Sequence, residues 1–319
     1  DYIEGRGQGL QVLEGSDITA VNIPSCEGQN SPHGLDVGAS TFSGRDIGFI
    51  KDAGINSSSV VLEKVTISGA MVTASSTVRL ISCRVDGHIH LHESSYDFLN
   101  TLGQGEHKSF GSSGVTRNYV QLALYEGLPD RSVHTNLTIG GTLSLIGGSS
   151  MTIEGGSVAG AASLTESSLQ GTAAHFASSL TLAASTLNHR SGSVTGKLTV
   201  ESSSAQLEGG SYFGGVDGPN SSVEMHACAV GAITLANSSL TMRGGNFGTI
   251  VGASSEIQVG GASGGSITAA GSGVLLRGAT VAACDISGGG IIAIGGVSGV
   301  VHVGGASFEL IGTSASVTG

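Results

Sequence analysis

The stretch SSMTIEGGSVAGAASLTE at residues 149–166 and its counterpart SSLTMRGGNFGTIVGA at residues 238–253 decide the fold of this chain. Each begins with Ser-Ser, continues with alternating apolar residues such as Met151 and Ile153, and then passes through Gly-Gly. Apolar residues at every second position are the signature of a strand with one buried face. A glycine pair supplies a bend where a side chain would clash or where a positive φ is needed. Each copy therefore predicts short strands joined by tight bends.

The same pattern recurs with a period of about 16 to 19 residues. Its clearest Ser-Ser starts are Ser58, Ser75, Ser149, Ser167, Ser221, Ser238 and Ser254. Three bends per period close a triangle, and stacked triangles pair each strand with its copy one period later. The repeat therefore predicts an all-β protein, a parallel β-solenoid with three short strands per coil. A right-handed winding is favoured because parallel β crossovers take that hand.

Composition excludes several other classes of protein. The 54 glycines and 48 serines make up about a third of the 319 residues, and Gly pairs interrupt every segment of helical length. A hydrophobic fraction of 39% with only 4 prolines argues against disorder. The net charge of −11, with 13 basic residues, gives no footprint for nucleic acid. No apolar run reaches the roughly 18 residues of a membrane helix, so we expect no membrane insertion.

The repeat pattern resembles that of the pectin-lyase-like parallel β-helix proteins. This superfamily includes polysaccharide lyases and hydrolases, phage tailspikes and surface adhesins. The resemblance covers residues 35–99 and 136–319 and rests on the repeat, not on a functional motif. It implies a fold and leaves the activity open.

Two segments break the period and suggest a division of the chain. Residues 1–34 have few apolar alternations and are predicted to be an N-terminal cap over the open end of the stack. Residues 35–99 are assigned to the first solenoid coils and residues 136–319 to the main solenoid. Between them, the sequence of residues 100–135 is richer in polar and charged residues. Such a stretch predicts an excursion loop or subdomain, where function tends to concentrate.

The most pointed local feature is the sequence GHIHLHE at residues 87–93. Residues two apart on a strand share a face, so His88, His90 and His92 are predicted to form an outward row about 6.6 Å apart. Such a row could hold a transition metal, and it could equally be a polar strand face that happens to use histidine. One imidazole pair supplies only two ligands. A third would come from a second copy of the chain, as in the His-x-His strands of trimeric phage fibres that this row resembles, or from Glu93, Asp97 or His107.

A second candidate site is a column of charged side chains on successive coils, predicted to contain His189, Glu208, His226 and Arg243. Carboxylates and imidazoles in a row could serve glycoside chemistry. Alternating charges also simply relieve repulsion along a ladder. Few aromatic residues are present to stack on sugar rings, so no catalytic residue is assigned.

Four Asn-x-Ser/Thr sequons offer candidate glycosylation sites, and four cysteines show no metal-binding spacing. The sequons are at Asn56, Asn136, Asn220 and Asn237. Cys228 and Cys284 lie about three coils apart, too far for a disulfide, and are predicted to be buried free thiols. A bond between Cys26 and Cys83 stays open.

The sequence favours a non-enzymatic extracellular structural or adhesive protein, displayed on a cell surface, an appendage or a virion. Small outward residues on a stacked rod favour self-association, with a surface glycan or a protein as further partner. The alternative is a carbohydrate-binding or polysaccharide-degrading β-helix, a tailspike-like depolymerase or lyase. Enzymatic activity is therefore left open, and no cofactor is implied beyond a transition metal at the histidine row.

Overall fold

The computed structural model describes residues 10–12, 15–21, 33–49, 51–295, 299–312 and 316–318. The chain divides into two compact units, residues 1–160 and residues 161–319. Each unit is built from parallel β-strands stacked as a β-solenoid, and the two comprise about 15 turns. The predicted fold class is confirmed, while its handedness stays a prediction. Within the described residues, the structure contains no helix with the length and apolarity needed to cross a membrane.

The strands of each unit follow one another closely along the chain. The first unit contains β1 (Leu10–Val12), β2 (Asp17–Val21), β3 (His33–Gly38), β4 (Thr41–Arg45), β5 (Gly48–Phe49), β6 (Asp52–Asn56), β7 (Ser59–Glu63), β8 (Thr66–Ile67), β9 (Met71–Ala74), β10 (Thr77–Ile81), β11 (Arg84–Val85), β12 (Ile89–His92), β13 (Ser95–Leu99), β14 (Leu102–Gly103), β15 (His107–Arg117), β16 (Val120–Gln121), β17 (Tyr125–Ile139), β18 (Leu143–Ile146) and β19 (Ser150–Val158). The second unit contains β20 (Ala162–Thr165), β21 (Ser168–Phe176), β22 (Leu180–Ala183), β23 (Thr186–Arg190), β24 (Ser193–Val194), β25 (Leu198–Glu201), β26 (Ser204–Glu208), β27 (Ser211–Tyr212), β28 (Val216–Pro219), β29 (Ser222–Ala236), β30 (Ser239–Ala253), β31 (Glu256–Gly260), β32 (Ser263–Ala270), β33 (Gly273–Arg277), β34 (Thr280–Ser287), β35 (Gly290–Ile294), β36 (Val300–Gly304), β37 (Ser307–Ile311) and β38 (Ser316–Thr318).

Three strands make one coil, as the repeat predicts. In the first unit β7, β10 and β13 pair in parallel, and so do β8, β11 and β14 on a second side. On the third side β9 pairs with β12, and β12 pairs with β15. Partners there are 18 residues apart, as in Val60↔Val78. In the second unit the offset falls from 18 to 17 residues between β28 and β29.

The interior of each coil is filled by the alternating apolar residues. On β10, Val78 and Leu80 are buried, whereas Thr77 and Arg79 point outward. On β30, Leu240 and Met242 are likewise buried and Thr241 is half-exposed. The period-2 pattern therefore identifies the two faces of these strands correctly.

The serine that precedes each first strand forms a hydrogen-bonded ladder along the coils. The N–H of Ser58 donates to Oγ of Ser76 at 3.2 Å, and the N–H of Ser76 donates to Oγ of Ser94 at 3.2 Å. Each hydroxyl also donates to the carbonyl two residues earlier, as Ser76 does to Ala74 at 2.6 Å. This serine ladder comprises Ser40, Ser58, Ser76, Ser94 and Ser112 in the first unit, and Ser167, Ser185, Ser203, Ser221, Ser238, Ser255 and Ser272 in the second. The Ser-Ser repeat thus satisfies backbone donors that burial would otherwise leave unpaired.

The glycine pair after the first strand makes a corner. Gly244 and Gly245 have φ values of 70° and 89°. A Cβ on Gly245 would lie 2.1 Å from the carbonyl oxygen of Cys228 on the preceding coil. Both the backbone conformation and the close approach therefore require glycine there.

Residues 100–135 do not form the predicted excursion. The strands β14 to β17 cover most of this segment and stay in the 18-residue register, as in Ser95↔Ser113 and Arg117↔Thr135. That prediction is wrong because polar residues such as His107, Asp130 and His134 occupy the inward positions of this segment, so the sequence changes without a change in backbone path.

The predicted N-terminal cap is described only in part. The strand β1 pairs in parallel with β3, and β2 pairs with β4. Residues 10–12 and 15–21 therefore extend the parallel pairing and do not form a separate cap structure. Residues 1–9, 13–14 and 22–32 lie outside the described residues.

Candidate functional site

The histidine row begins at His88, directly before β12, and continues along β12 with the predicted alternation. Ile89 and Leu91 are buried, His90 is half-buried, and His88 and His92 are exposed. The rings of His88 and His90 are stacked with centroids 5.6 Å apart and an interplanar angle of 18°. The first two histidines therefore form a pair on the outer face of the coil.

Glu106 on the next coil completes a cluster with this pair. One potential ligand atom from each of His88, His90 and Glu106 lies within 4.8 Å of the other two. The backbone N–H of Glu106 donates to Nδ1 of His88 at 3.1 Å. Sequence reasoning missed Glu106, although the 18-residue offset between positions 88 and 106 was available to find it.

Lys108 is a positively charged side chain beside this cluster. Its Nζ lies 3.1 Å from Oε2 of Glu106 and 3.7 Å from Oε2 of Glu126. Lys108 lowers the pKa of Glu106 through a hydrogen bond and its charge, and Glu106 raises the pKa of Lys108 in the same ways. Burial, His88 and Lys108 lower the pKa of His90. His90 is therefore held toward its neutral form, the form that binds metals.

The remaining predicted ligands lie away from this cluster. His92 stacks on Phe110, with ring centroids 6.2 Å apart. Asp97 is on β13, where it pairs with Arg79 at 3.3 Å. His107 is fully buried, and Glu93 lies outside the cluster. The structure thus brings together two of the three predicted histidines.

A buried polar network fills the core where the sequence predicted an excursion. Asp130 is 1% exposed and accepts hydrogen bonds from Oγ of Ser109 at 2.9 Å, the hydroxyl of Tyr125 at 2.9 Å and Oγ of Ser132 at 2.7 Å. The hydroxyl of Tyr96 lies 2.9 Å from that of Tyr125. Burial raises the pKa of the Asp130 carboxyl, and the hydroxyl donors oppose that rise. Three donors therefore offset part of the desolvation of one carboxylate.

Two buried histidines lie beside this network, and Nε2 of His134 is 3.4 Å from the hydroxyl of Tyr125. Nδ1 of His134 lies 2.7 Å from Oγ1 of Thr116, and Nδ1 of His107 lies 2.9 Å from the hydroxyl of Tyr119. Tyr119 donates to Oε1 of Gln121 at 2.7 Å, so the tautomer of His107 that fits the network carries its proton on Nδ1. Burial lowers the pKa of both imidazoles to about 3. Both are therefore neutral at pH 7.

The predicted charged column is wrong by one residue. Arg190, not His189, pairs with Glu208, and the column continues through His226 to Arg243. His189 faces the core, where its Nδ1 lies 2.8 Å from the hydroxyl of Tyr212. Nε of Arg190 lies 3.2 Å from Oε2 of Glu208, so the first two members of the outward column form an ion pair.

The sequon asparagines are all exposed at coil corners. Asn136, Asn220 and Asn237 have positive φ, between 51° and 55°, which asparagine tolerates. In the second unit, Asn220 and Asn237 belong to a shallow groove of about 780 Å³, which we call the serine–asparagine trough. It is lined by Ser202, Ser203, Asn220, Ser221, Ser222, Asn237, Ser238, Ser239, Ser254, Ser255, Glu256 and Gly271.

The cysteines that the structure describes are buried free thiols. This confirms the prediction for Cys228 and Cys284, and Cys83 is free as well. Burial raises the pKa of all three, that of Cys284 to about 11. Cys83 is free in this structure, and Cys26 lies outside the described residues.

Comparison with known proteins found no relative of this chain. No protein-family model, curated protein or solved structure matches this chain.

Proposed function

We propose that this chain is a non-enzymatic structural or adhesive β-solenoid, displayed outside the cell on a surface, an appendage or a virion. The observation that supports this proposal most directly is the serine–asparagine trough, where four successive coils present serine hydroxyls and two of them also present an asparagine amide. Its side chains bridge neighbouring coils, with Oγ of Ser239 3.2 Å from Oγ of Ser222. A surface that repeats one chemical unit suits multivalent contact with a repetitive partner.

Two further features support display in an oxidising environment. The described cysteines are buried with raised pKa values, which protects their thiols from oxidation. Two sequon asparagines outside the trough, Asn56 and Asn136, are exposed, so an oligosaccharyltransferase would find them accessible. These features fit an extracellular protein whose stability rests on its stacked coils, since the described cysteines form no disulfide.

The alternative function is carbohydrate binding or polysaccharide degradation. The trough supports the binding form of it, because hydroxyls and amides exchange hydrogen bonds with sugar hydroxyls. A test is to pass the full chain over immobilised neutral and acidic polysaccharides and to measure both retention and released reducing ends or unsaturated products. We expect retention without products.

Matched variants connect this result to the trough. Ser239→Lys places a long side chain in the trough, whereas Thr241→Lys lies on the same outward face of β30 but does not line it. Retention should fall in the first variant only. Released products would instead favour the degrading alternative. Analytical ultracentrifugation tests self-association, since a strict monomer of 31.5 kDa at high concentration would contradict a fibre role.

A further inference from the structure

Two neighbouring coils of the first unit bring two imidazoles and one carboxylate together on an outer face. His88 and His90 come from one coil, and Glu106 comes from the next. We propose that His88, His90 and Glu106 bind a divalent transition-metal ion such as Zn²⁺, Co²⁺ or Ni²⁺. This site differs from the histidine row, because it excludes His92 and adds a carboxylate.

The ligand types determine which metals fit. Two nitrogen ligands and one oxygen ligand suit zinc and its neighbours, whereas Ca²⁺ and Mg²⁺ take oxygen ligands. Three protein ligands leave a coordination position for water. The separations of up to 4.8 Å exceed those between ligands of one tetrahedral ion, so the side chains must close around it.

The local contacts permit that closure. Nε2 of His90 is buried yet has no hydrogen-bond partner among the described residues, so the tautomer with its proton on Nδ1 leaves a lone pair there for a metal ion. Nδ1 of His88 accepts the N–H of Glu106 and has to release it, or the ring has to turn about χ2. His88 is exposed, so solvent can hydrate the released N–H.

Lys108 competes for the same carboxylate. Its ammonium contacts Glu106 and has a second carboxylate, Glu126, within 3.7 Å. A bound metal would therefore displace the ammonium toward Glu126 without leaving it unpaired. Removing this charge by Lys108→Met should tighten metal binding, because it removes a competitor for the Glu106 carboxylate and a like charge beside the ion.

The experiment measures Co²⁺ binding to the full, untagged chain from its visible absorption spectrum, and Zn²⁺ affinity by competition. Outer-shell partners alone change metal affinity by roughly 10- to 100-fold. Loss of a direct ligand in His88→Ala, His90→Ala or Glu106→Gln should therefore weaken binding by more than roughly tenfold. His92→Ala is the matched control, since His92 lies on the same outward face of the same strand.

The outcomes separate this site from its alternatives. One equivalent of metal, unaffected by His92→Ala and tightened by Lys108→Met, supports the proposal. An equal loss in His92→Ala and His90→Ala would assign the ion to the histidine row and overturn it. Unchanged binding in Glu106→Gln, or no binding above that of a His88→Ala/His90→Ala double variant, would overturn it as well. Far-ultraviolet circular dichroism checks that each variant keeps its β-structure.

Discussion

The core of residues 96–134 and the core of residues 223–291 share one pattern of strand pairing, but the first contains buried polar side chains and the second is largely aliphatic. In the second unit, one interior column runs Val223, Leu240, Ile257, Val274 and Ile291, aliphatic throughout. The corresponding column of the first unit runs Tyr96, Gly114, Ser132 and Met151. The difference shows that backbone pairing sets the coil, while the interior can be filled in either way.

The polar core is tolerated because its members satisfy one another. Tyr96 fills the space over Gly114, where a Cβ would lie 2.4 Å from its ring. Its hydroxyl continues through Tyr125 to Asp130, so the carboxylate is buried with partners. A charge placed in the aliphatic core of the second unit would have no hydrogen-bond partner. We therefore expect the largest loss of stability from such a substitution.

Leu240→Asp places a charge in the aliphatic column of the second unit and should strongly destabilise the protein. The carboxylate would lie between Val223 and Ile257 without a donor, at a cost of more than roughly 4 kcal/mol in the free energy of unfolding. Thr241→Asp, on the outward face of the same strand, should cost less than about 1 kcal/mol. Urea denaturation of both variants measures the difference. Equal losses at positions 240 and 241 would contradict the assigned faces.

The polar core should also make the first unit sensitive to acid. The pKa of His134 is lowered to about 3 by burial, whereas in the unfolded chain it is about 6.5. Between these values the unfolded state binds a proton that the native state does not, so stability falls as the pH falls. From pH 7 to pH 4 this histidine should remove roughly 3 kcal/mol. The raised pKa of Asp130 acts in the opposite direction and offsets part of the loss.

The variant His134→Asn isolates this contribution. It should be less stable than the wild type at pH 7, because the contact with Thr116 is disturbed, but its loss between pH 7 and pH 4 should be smaller by roughly 3 kcal/mol. Hydrogen exchange at amides of β17 provides a local readout. A pH dependence identical to that of the wild type would show that His134 is not buried as a neutral group.

The outline of this fold could be predicted from the sequence, because its causes are local. Alternation places Leu240 and Met242 inward, and Gly244 and Gly245 make the corner. The error at His189 and Arg190 shows the limit of this reasoning, since a one-residue slip moves a side chain to the other face.

The polar core could not be predicted in the same way. A polar stretch is compatible with an exposed loop and with a satisfied network, and only knowledge of partners separates the two. Ser109 has its acceptor in Asp130, 21 residues later. The same limit applies to the candidate metal site, whose carboxylate, Glu106, lies one coil beyond the histidines.

A double-mutant cycle on Tyr125 and Asp130 tests whether the polar core acts as a network. Tyr125→Phe removes a hydrogen bond to a carboxylate and should cost about 2 kcal/mol, within the range for bonds to charged groups. In an Asp130→Asn background the same change should cost less, because the acceptor is no longer charged. Additive losses in thermal or urea denaturation would mean that the two residues act independently.

The smallest expected effect concerns the feature that both regions share. Ser76→Ala in the first unit removes the acceptor for the N–H of Ser58, and Ser255→Ala in the second removes that for the N–H of Ser238. Each should cost about 1 kcal/mol, since one buried donor loses its partner in both cases. The outward residues Thr77 and Ser239, each of which directly follows a ladder serine, provide controls, because their replacement by alanine should cost less than about 0.5 kcal/mol. If the ladder is independent of the core chemistry, the two ladder variants lose equal stability. A loss confined to Ser76→Ala in the first unit would mean that the serines stabilise the polar network and not the stacking of the coils.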